Sequence, residues 1–110
     1  MPKVLAVKYV QTPPKPLAQV IVETAYLYEI NPRQFLGVAK CESRLRNVQS
    51  EVITNGVREE SYGIFQIHLP DHPSVTRELA LNPSWAIEWS AEKFKADPTI
   101  WVCYNKLYGQ

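Results

Sequence analysis

Apolar residues at Val20, Ile21, Ala25 and Leu27, between Leu17 and about Tyr28, suit one face of a helix. Asn31-Pro32 ends that helix and starts another, because Asn is a strong N-cap and Pro is favoured at the first helical position. Gln34, three residues after the cap, completes a variant of the capping box. The second helix is expected to run through Phe35, Leu36, Val38, Ala39 and Cys41 to about Ser43 or Leu45. Within Ile53-Thr54-Asn55-Gly56-Val57, Asn-Gly supplies the positive φ values of a type I′ turn and predicts a β-hairpin centred on residues 55 and 56. A two-residue turn there pairs Val52 with Glu59 and Glu51 with Glu60. Pro70 and Pro73 make Leu69 to Pro73 a loop, and Asn82-Pro83 repeats the cap-then-proline device ahead of Trp85, Ile87, Trp89, Ala91 and Phe94. A last helix is expected after Asp97-Pro98, carrying Ile100, Trp101, Tyr104 and Leu107. Helices around one small hairpin make an α+β domain that is mostly α-helical.

Length and composition fit a single domain: 110 residues, 45% of them apolar, far from disordered compositions. Thr12-Pro13-Pro14-Lys15-Pro16 reads as a linker, since clustered prolines cannot continue a helix or a central strand. The chain therefore divides into a tail and Pro-rich linker, 1–16, and a domain, 17–110. A formal net charge of +1 argues against nucleic-acid binding by bulk electrostatics, and no apolar run approaches a membrane span, so no membrane insertion is expected. The short apolar run from Met1 to Val10 is interrupted by Lys8 and makes a poor secretory signal. Cys41 and Cys103 lie in no metal-binding or redox spacing.

At about 100° per residue, Phe35, Val38, Ala39 and Glu42 fall on one face of the second helix. A carboxylate in an apolar stripe must be paired or raise its pKa, and a raised pKa is what a general acid needs. The plainer alternative is that the helix ends near Glu42 and frees it to solvent, or that an Arg pairs with it. His68, Asp71 and His72 lie close together, but the prolines break the segment and no fourth ligand sits at a suitable spacing, so a turn with surface imidazoles is expected and no metal. Trp85, Trp89 and Phe94 read as core aromatics rather than a sugar-stacking platform.

Three segments occur in order: Cys41-Glu42-Ser43, then after the hairpin Ser61-Tyr62-Gly63-Ile64-Phe65-Gln66-Ile67, and finally Cys103-Tyr104-Asn105. They resemble the lysozyme superfamily, in particular the soluble lytic transglycosylases with their glutamate-serine, Gly-Leu-Met-Gln-like and Tyr-Asn motifs, over about Leu17 to Tyr108. The resemblance implies a lysozyme-like fold with a small β-hairpin lobe beside an active-site cleft. It implies Glu42 as the acid that protonates the oxygen of the β-1,4 bond between N-acetylmuramic acid and N-acetylglucosamine. Ser43 would orient that carboxyl, Gly63 would let the sugar chain approach backbone, Gln66 would line the cleft floor, and Tyr104 would lie beside Glu42 with Asn105 supporting the last helix. Trp101 is similar in placement to the tryptophan that covers the acid in animal lysozymes. Tyr62 and Phe65, flanking Gly63, have a claim to the cleft, although alternation sends them to different environments. The cysteines precede motif residues; a disulfide between them is one option, and a pair of small buried thiols is the simpler expectation.

Ser61 stands where lysozymes of the chicken type have a second carboxylate, and a serine can act neither as nucleophile nor as base for water in that mechanism. A lytic transglycosylase needs no second carboxylate, because the muramic acid's own 6-hydroxyl attacks the anomeric carbon. Alternatively Glu59, Glu60 or Glu51 takes the missing role in a hydrolase, or the domain binds glycan without cleaving it. The first of these is the expected activity: a monomeric enzyme acting on bacterial peptidoglycan without cofactor. It would work at the cell wall or periplasm, and the poor signal implies export by another route, a phage or virion origin, or excision from a longer chain.

Overall fold

Two Asn-Pro pairs start the helices that frame the molecule. The Asn31 side chain accepts the Gln34 N–H at 3.1 Å, and the Asn82 side chain accepts the Trp85 N–H at 3.2 Å. Each thereby satisfies one of the donors that a helix start leaves without an internal partner. The structure is a computed structural model that describes residues 15–109, so the tail expected over 1–16 lies almost wholly outside the described residues.

The helices are α1 (Leu17–Tyr28), α2 (Pro32–Ser43), α3 (Arg77–Ala80), α4 (Pro83–Ala96) and α5 (Val102–Tyr108). The strands are β1 (Ile53–Thr54), β2 (Val57–Arg58), β3 (Ser61–Tyr62) and β4 (Ile67–His68). The architecture is α+β and mostly helical, as the apolar pattern predicts. No helix among the described residues is long and apolar enough to cross a membrane. In α1, Ile21, Thr24 and Ala25 face the core. Leu27 does not: six residues on from Ile21 it has turned about 240° round the helix, and it is 82% exposed.

β1 and β2 pair antiparallel in the register that Asn55-Gly56 dictates, Thr54 opposite Val57 and Ile53 opposite Arg58. The pairing runs on beyond the strands: Glu59 N–H donates to Val52 O at 2.8 Å, Ser50 N–H to Ser61 O at 2.8 Å, and Gly63 N–H to Val48 O at 2.9 Å. On its other side β3 pairs with β4, which sets Ser61 opposite His68 and Tyr62 opposite Ile67. This second hairpin has no polar turn signal. Its turn holds Gly63 at φ 88 and Gln66 at φ 52. A left-handed glutamine costs roughly 1–2 kcal/mol, offset here by bonds from its own amide to Val48 O and Gly63 O, each 2.9 Å.

That turn drives Ile64 and Phe65 into the main core, with Ile21, Phe35, Val38, Ile87, Phe94 and Trp101. Phe65 stacks on Phe35 with centroids 4.6 Å apart and meets Trp101 edge-on at 6.0 Å. Tyr62 and Ile67 join a smaller cluster with Val75, Ala80 and Ala86. Leu69–Asp71 forms a 3-10 turn where a plain loop was expected, and the short α3 is an element that periodicity cannot reveal over four residues.

The expected final helix is divided. Asp97 caps a 3-10 turn over Pro98–Ile100, accepting the Thr99 N–H at 3.0 Å, and Trp101 is extended (φ −96, ψ 125) before α5 begins. The break turns Trp101 inward, where it is buried and its Nε1–H donates to Phe65 O at 3.0 Å.

Candidate functional site

Glu42 lies on the last turn of α2, on the face that buries Phe35, Val38 and Ala39. The helix stops one residue later, and Arg44 and Leu45 both take left-handed backbone, φ 57 and 62. Two such residues in succession bend the chain away and leave Glu42 half-buried, at the boundary between core and cleft. Among the described residues no basic side chain forms a salt bridge to it, so the alternative of an Arg partner does not apply.

Burial pushes the Glu42 carboxyl above its ordinary pKa, and the negative charge of Glu59 pushes in the same direction; a hydrogen bond from the Cys103 backbone N–H to Oε2, 3.3 Å, opposes them. Desolvation is the largest of the three. Such a carboxyl holds its proton to higher pH than an exposed one and gives it up to a strongly polarised oxygen.

Two cavities meet at Glu42, one of about 350 Å³ and one of about 340 Å³, sharing Ser50, Val52 and Gln66 as walls. Together they form a groove with the carboxyl near its middle. Along the larger, the hairpin side contributes Glu59, Ser61, Ile67 and His68, and the helical side contributes Trp89, Ile100, Trp101 and Val102, with Asp71 and His72 beyond. The smaller is lined by Arg46, Val48, Gln49 and Glu51.

The larger cavity also holds a polar cluster. The Ser61 hydroxyl donates to Glu59 Oε2 at 2.6 Å and lies 3.0 Å from His68 Nδ1; Ser50 donates to Glu59 Oε1 at 3.3 Å. With its single hydrogen on Glu59, Ser61 accepts from a His68 that carries hydrogen on Nδ1. The His68 ring nitrogen is 3.8 Å from Glu59 Oε2. Further along, the His72 ring meets Trp89 edge-on at 4.9 Å, and Trp89 stacks on Trp85 at 6.1 Å. Burial holds the His72 pKa below the usual imidazole range, against a smaller upward pull from Asp71.

Several expected site residues are thus brought together: Glu42, Ser61, Gln66 and Trp101 share the larger cavity, and so does Glu59. Of the other carboxylates, Glu51 lines the smaller cavity, while Glu60 is exposed and faces neither. Tyr62 and Phe65 are buried in the two core clusters and form no part of the groove walls. Gly63 is buried, and the space a side chain would need is filled by the Ala80 carbonyl, so its openness serves packing rather than approach of a ligand. Ser43 lines the smaller cavity beside Glu42, but its hydroxyl donates to Ile64 O at 2.7 Å and ties the end of α2 to the buried turn instead of orienting the Glu42 carboxyl. Tyr104 packs between Phe94 and Tyr108, centroids 5.5 and 5.6 Å away, rather than on the groove. Asn105 does support its helix, donating to Thr99 O at 2.9 Å.

The expected state of the cysteines also needs correction. Cys41 and Cys103 are joined in a disulfide, with Cα atoms 6.0 Å apart, and Cys41 is an exposed residue; they are not a pair of buried thiols. His68 and His72, expected as surface imidazoles, both line the groove, His68 with its side chain 41% exposed and His72 partly buried, and Trp89, expected in the core, packs against it and also forms part of the groove wall. The signal for His68 was its place opposite Ser61, visible only once Gly63 to Gln66 is read as a turn. Comparison of the chain with models of known protein families, with curated proteins and with solved structures finds no match.

Proposed function

We propose that this chain has a lysozyme-like fold and cleaves the glycan strands of bacterial peptidoglycan as a lytic transglycosylase, with Glu42 as acid and then base. The observation that carries this reading is a half-buried carboxyl, raised in pKa by burial, standing where two cavities join into one groove. A polymer lying along such a groove presents a backbone bond, rather than a chain end, to the carboxyl. Glu42 gives its proton to the glycosidic oxygen between N-acetylmuramic acid and N-acetylglucosamine as the C1–O bond breaks. The resulting carboxylate then takes the proton of the muramic acid 6-hydroxyl as O6 bonds to C1, and the product ends in a 1,6-anhydro sugar. No water enters the products, so a second carboxylate is not required, in keeping with Ser61. The site of action in this reading is the bacterial cell wall.

One observation favours a second reading. Glu59 lines the same cavity as Glu42, held by Ser50 and Ser61, and could orient a water or stabilise positive charge at C1 as the second carboxylate of a hydrolase.

Mass spectrometry of products released from purified sacculi distinguishes them, with Glu42→Gln run alongside. Anhydro-muramic ends, lost in the variant, are the expected result. Reducing muramic ends transfer the role to the hydrolase with Glu59. Neither product, with glycan retained by both proteins, leaves a glycan-binding module. General acid catalysis is worth roughly 10²–10⁴-fold, which sets the loss expected for Glu42→Gln.

A further inference from the structure

Cys41 and Cys103 bracket the acid. Cys41 is its neighbour in α2, and Cys103 carries the backbone N–H that donates to Glu42 Oε2 at 3.3 Å. The two cysteines are bonded to each other across a sequence separation of 62 residues. A closed loop of contacts therefore runs from the carboxyl through the Cys103 N–H and the disulfide back to the residue beside Glu42.

We propose that this disulfide is a clamp that positions the acid, holding the Cys103 N–H on the Glu42 carboxyl, and that opening it with a dithiol loosens the hold and lowers turnover. The turnover part rests on the glycan-cleaving reading; the clamp itself does not. Helix α5 is also held by the buried Trp101 that precedes it and by the Asn105 bond to Thr99 O, but neither of these touches the Glu42 carboxyl. Within the helix Cys103 is the one buried residue and its backbone N–H the one that reaches Glu42, while Val102 is 76% exposed. Tyr104 and Tyr108 are only partly buried against the core. By contrast, Glu59, His68, Asp71 and His72 in the larger cavity and Arg46 and Glu51 in the smaller belong to other segments, which the disulfide does not tie.

Cys41 is the exposed partner of the bond and Cys103 the buried one, so a reductant approaches from the Cys41 side. A thiolate of the dithiol bonds to one Sγ and the other Sγ leaves as thiolate; the second thiol then displaces the mixed disulfide. Two electrons pass to the protein, which gains two thiols, and the reductant departs as its own disulfide. The clamp is thus closed in oxidising surroundings and open in reducing ones.

The test follows the Cys103 amide by ¹H–¹⁵N NMR across pH, with Glu42→Gln identifying the Glu42 contribution and separating it from titration of Glu59, His68 and His72. In the oxidised chain the amide proton shift should follow ionisation of Glu42. After dithiothreitol, and in Cys41→Ala/Cys103→Ala, that dependence should vanish while turnover on sacculi falls roughly ten- to a hundredfold with KM little changed, as for a misplaced reacting group. An amide that follows Glu42 equally in both redox states overturns the clamp. So does general unfolding of both the reduced chain and the double variant, which makes the disulfide a staple of the whole fold. Redox-dependent coupling in a chain that releases no glycan product keeps the clamp and sinks the proposed activity.

Discussion

The Ser61 hydroxyl donates to Glu59 Oε2 at 2.6 Å, so the serine at the position of an expected second carboxylate is bound to a carboxylate two residues before it. Ser61 is 2% exposed, and its oxygen is also shared with His68. The hairpin register makes this contact. Glu59 follows β2 opposite Val52, Ser61 is paired through Ser50 on one side and His68 on the other, and both side chains reach the cavity that holds Glu42.

Glu59→Gln removes a negative charge that helps raise the Glu42 pKa. The Glu42 pKa should fall, and the alkaline limb of the pH–activity profile should move to lower pH. In a transglycosylase the rate at the optimum drops by much less than the roughly 10²-fold lost with a working acid or base. A full loss of that size, with reducing ends among the wild-type products, assigns Glu59 the role of second carboxylate.

Glu42→Gln should stabilise the fold at neutral pH. The carboxyl is raised above its unfolded value by burial, so the native state holds its proton more tightly than the unfolded chain does. Below about pH 4 both states are protonated and the group costs nothing as a charge. As pH rises through the unfolded and then the folded pKa, the native state must bear a half-buried carboxylate, and stability falls. Glutamine escapes this and can still accept the Cys103 N–H. Thermal unfolding at pH 7.5 should show the variant melting a few degrees higher, and the gap should close towards pH 4; a gap independent of pH would argue that ionisation of Glu42 is not its source.

The helix starts were legible because their signals are local: Asn31-Pro32 and Asn82-Pro83 each specify a cap and a first turn whatever packs above them. Asn55-Gly56 fixed the first hairpin and its register in the same way, and Glu42 stood out because α2 needs a face of Phe35, Val38 and Ala39. The second hairpin was hidden because its turn is buried. Ile64 and Phe65 occupy it in place of polar residues, and Gln66 secures its left-handed backbone with its own side chain. Without that turn, His68 could not be placed opposite Ser61. The Cys41–Cys103 bond joins segments 62 residues apart, so only the packed arrangement of α2 and α5 reveals it. The break at Trp101 likewise reflects the core: the indole gains burial and a hydrogen bond to Phe65 O by leaving helical geometry.

Gly63→Ala and Gly56→Ala should differ sharply although both glycines have positive φ, 88 and 79. At Gly56 a methyl group meets open space, so only the left-handed conformation is penalised, at about 1–2 kcal/mol. At Gly63 it meets the Ala80 backbone carbonyl, which has no rotamer by which to retreat. The loss should reach roughly 3–5 kcal/mol or prevent folding, in the range reserved for strain and overpacking. Urea denaturation of both variants measures the difference, and equal losses would mean that α3 moves aside freely from the turn.

Trp101→Phe separates two contributions of one side chain. The phenyl ring keeps much of the packing against Phe65 and Phe94 but cannot donate to Phe65 O, now 3.0 Å from the indole nitrogen. A buried carbonyl left without its partner costs about 1–3 kcal/mol, against about 3–5 kcal/mol for removing the whole ring in Trp101→Ala. The smaller ring also opens the cavity wall that Trp101 shares with Glu42 and admits water towards the carboxyl. Since desolvation is the main reason that carboxyl holds its proton, its pKa should fall towards the ordinary carboxylate range. Thermal unfolding gives the first effect, and a ¹³C titration of the Glu42 carboxyl gives the second. A stability loss with no movement of the Glu42 midpoint would confine Trp101 to packing and leave the desolvation of the acid to the rest of the groove.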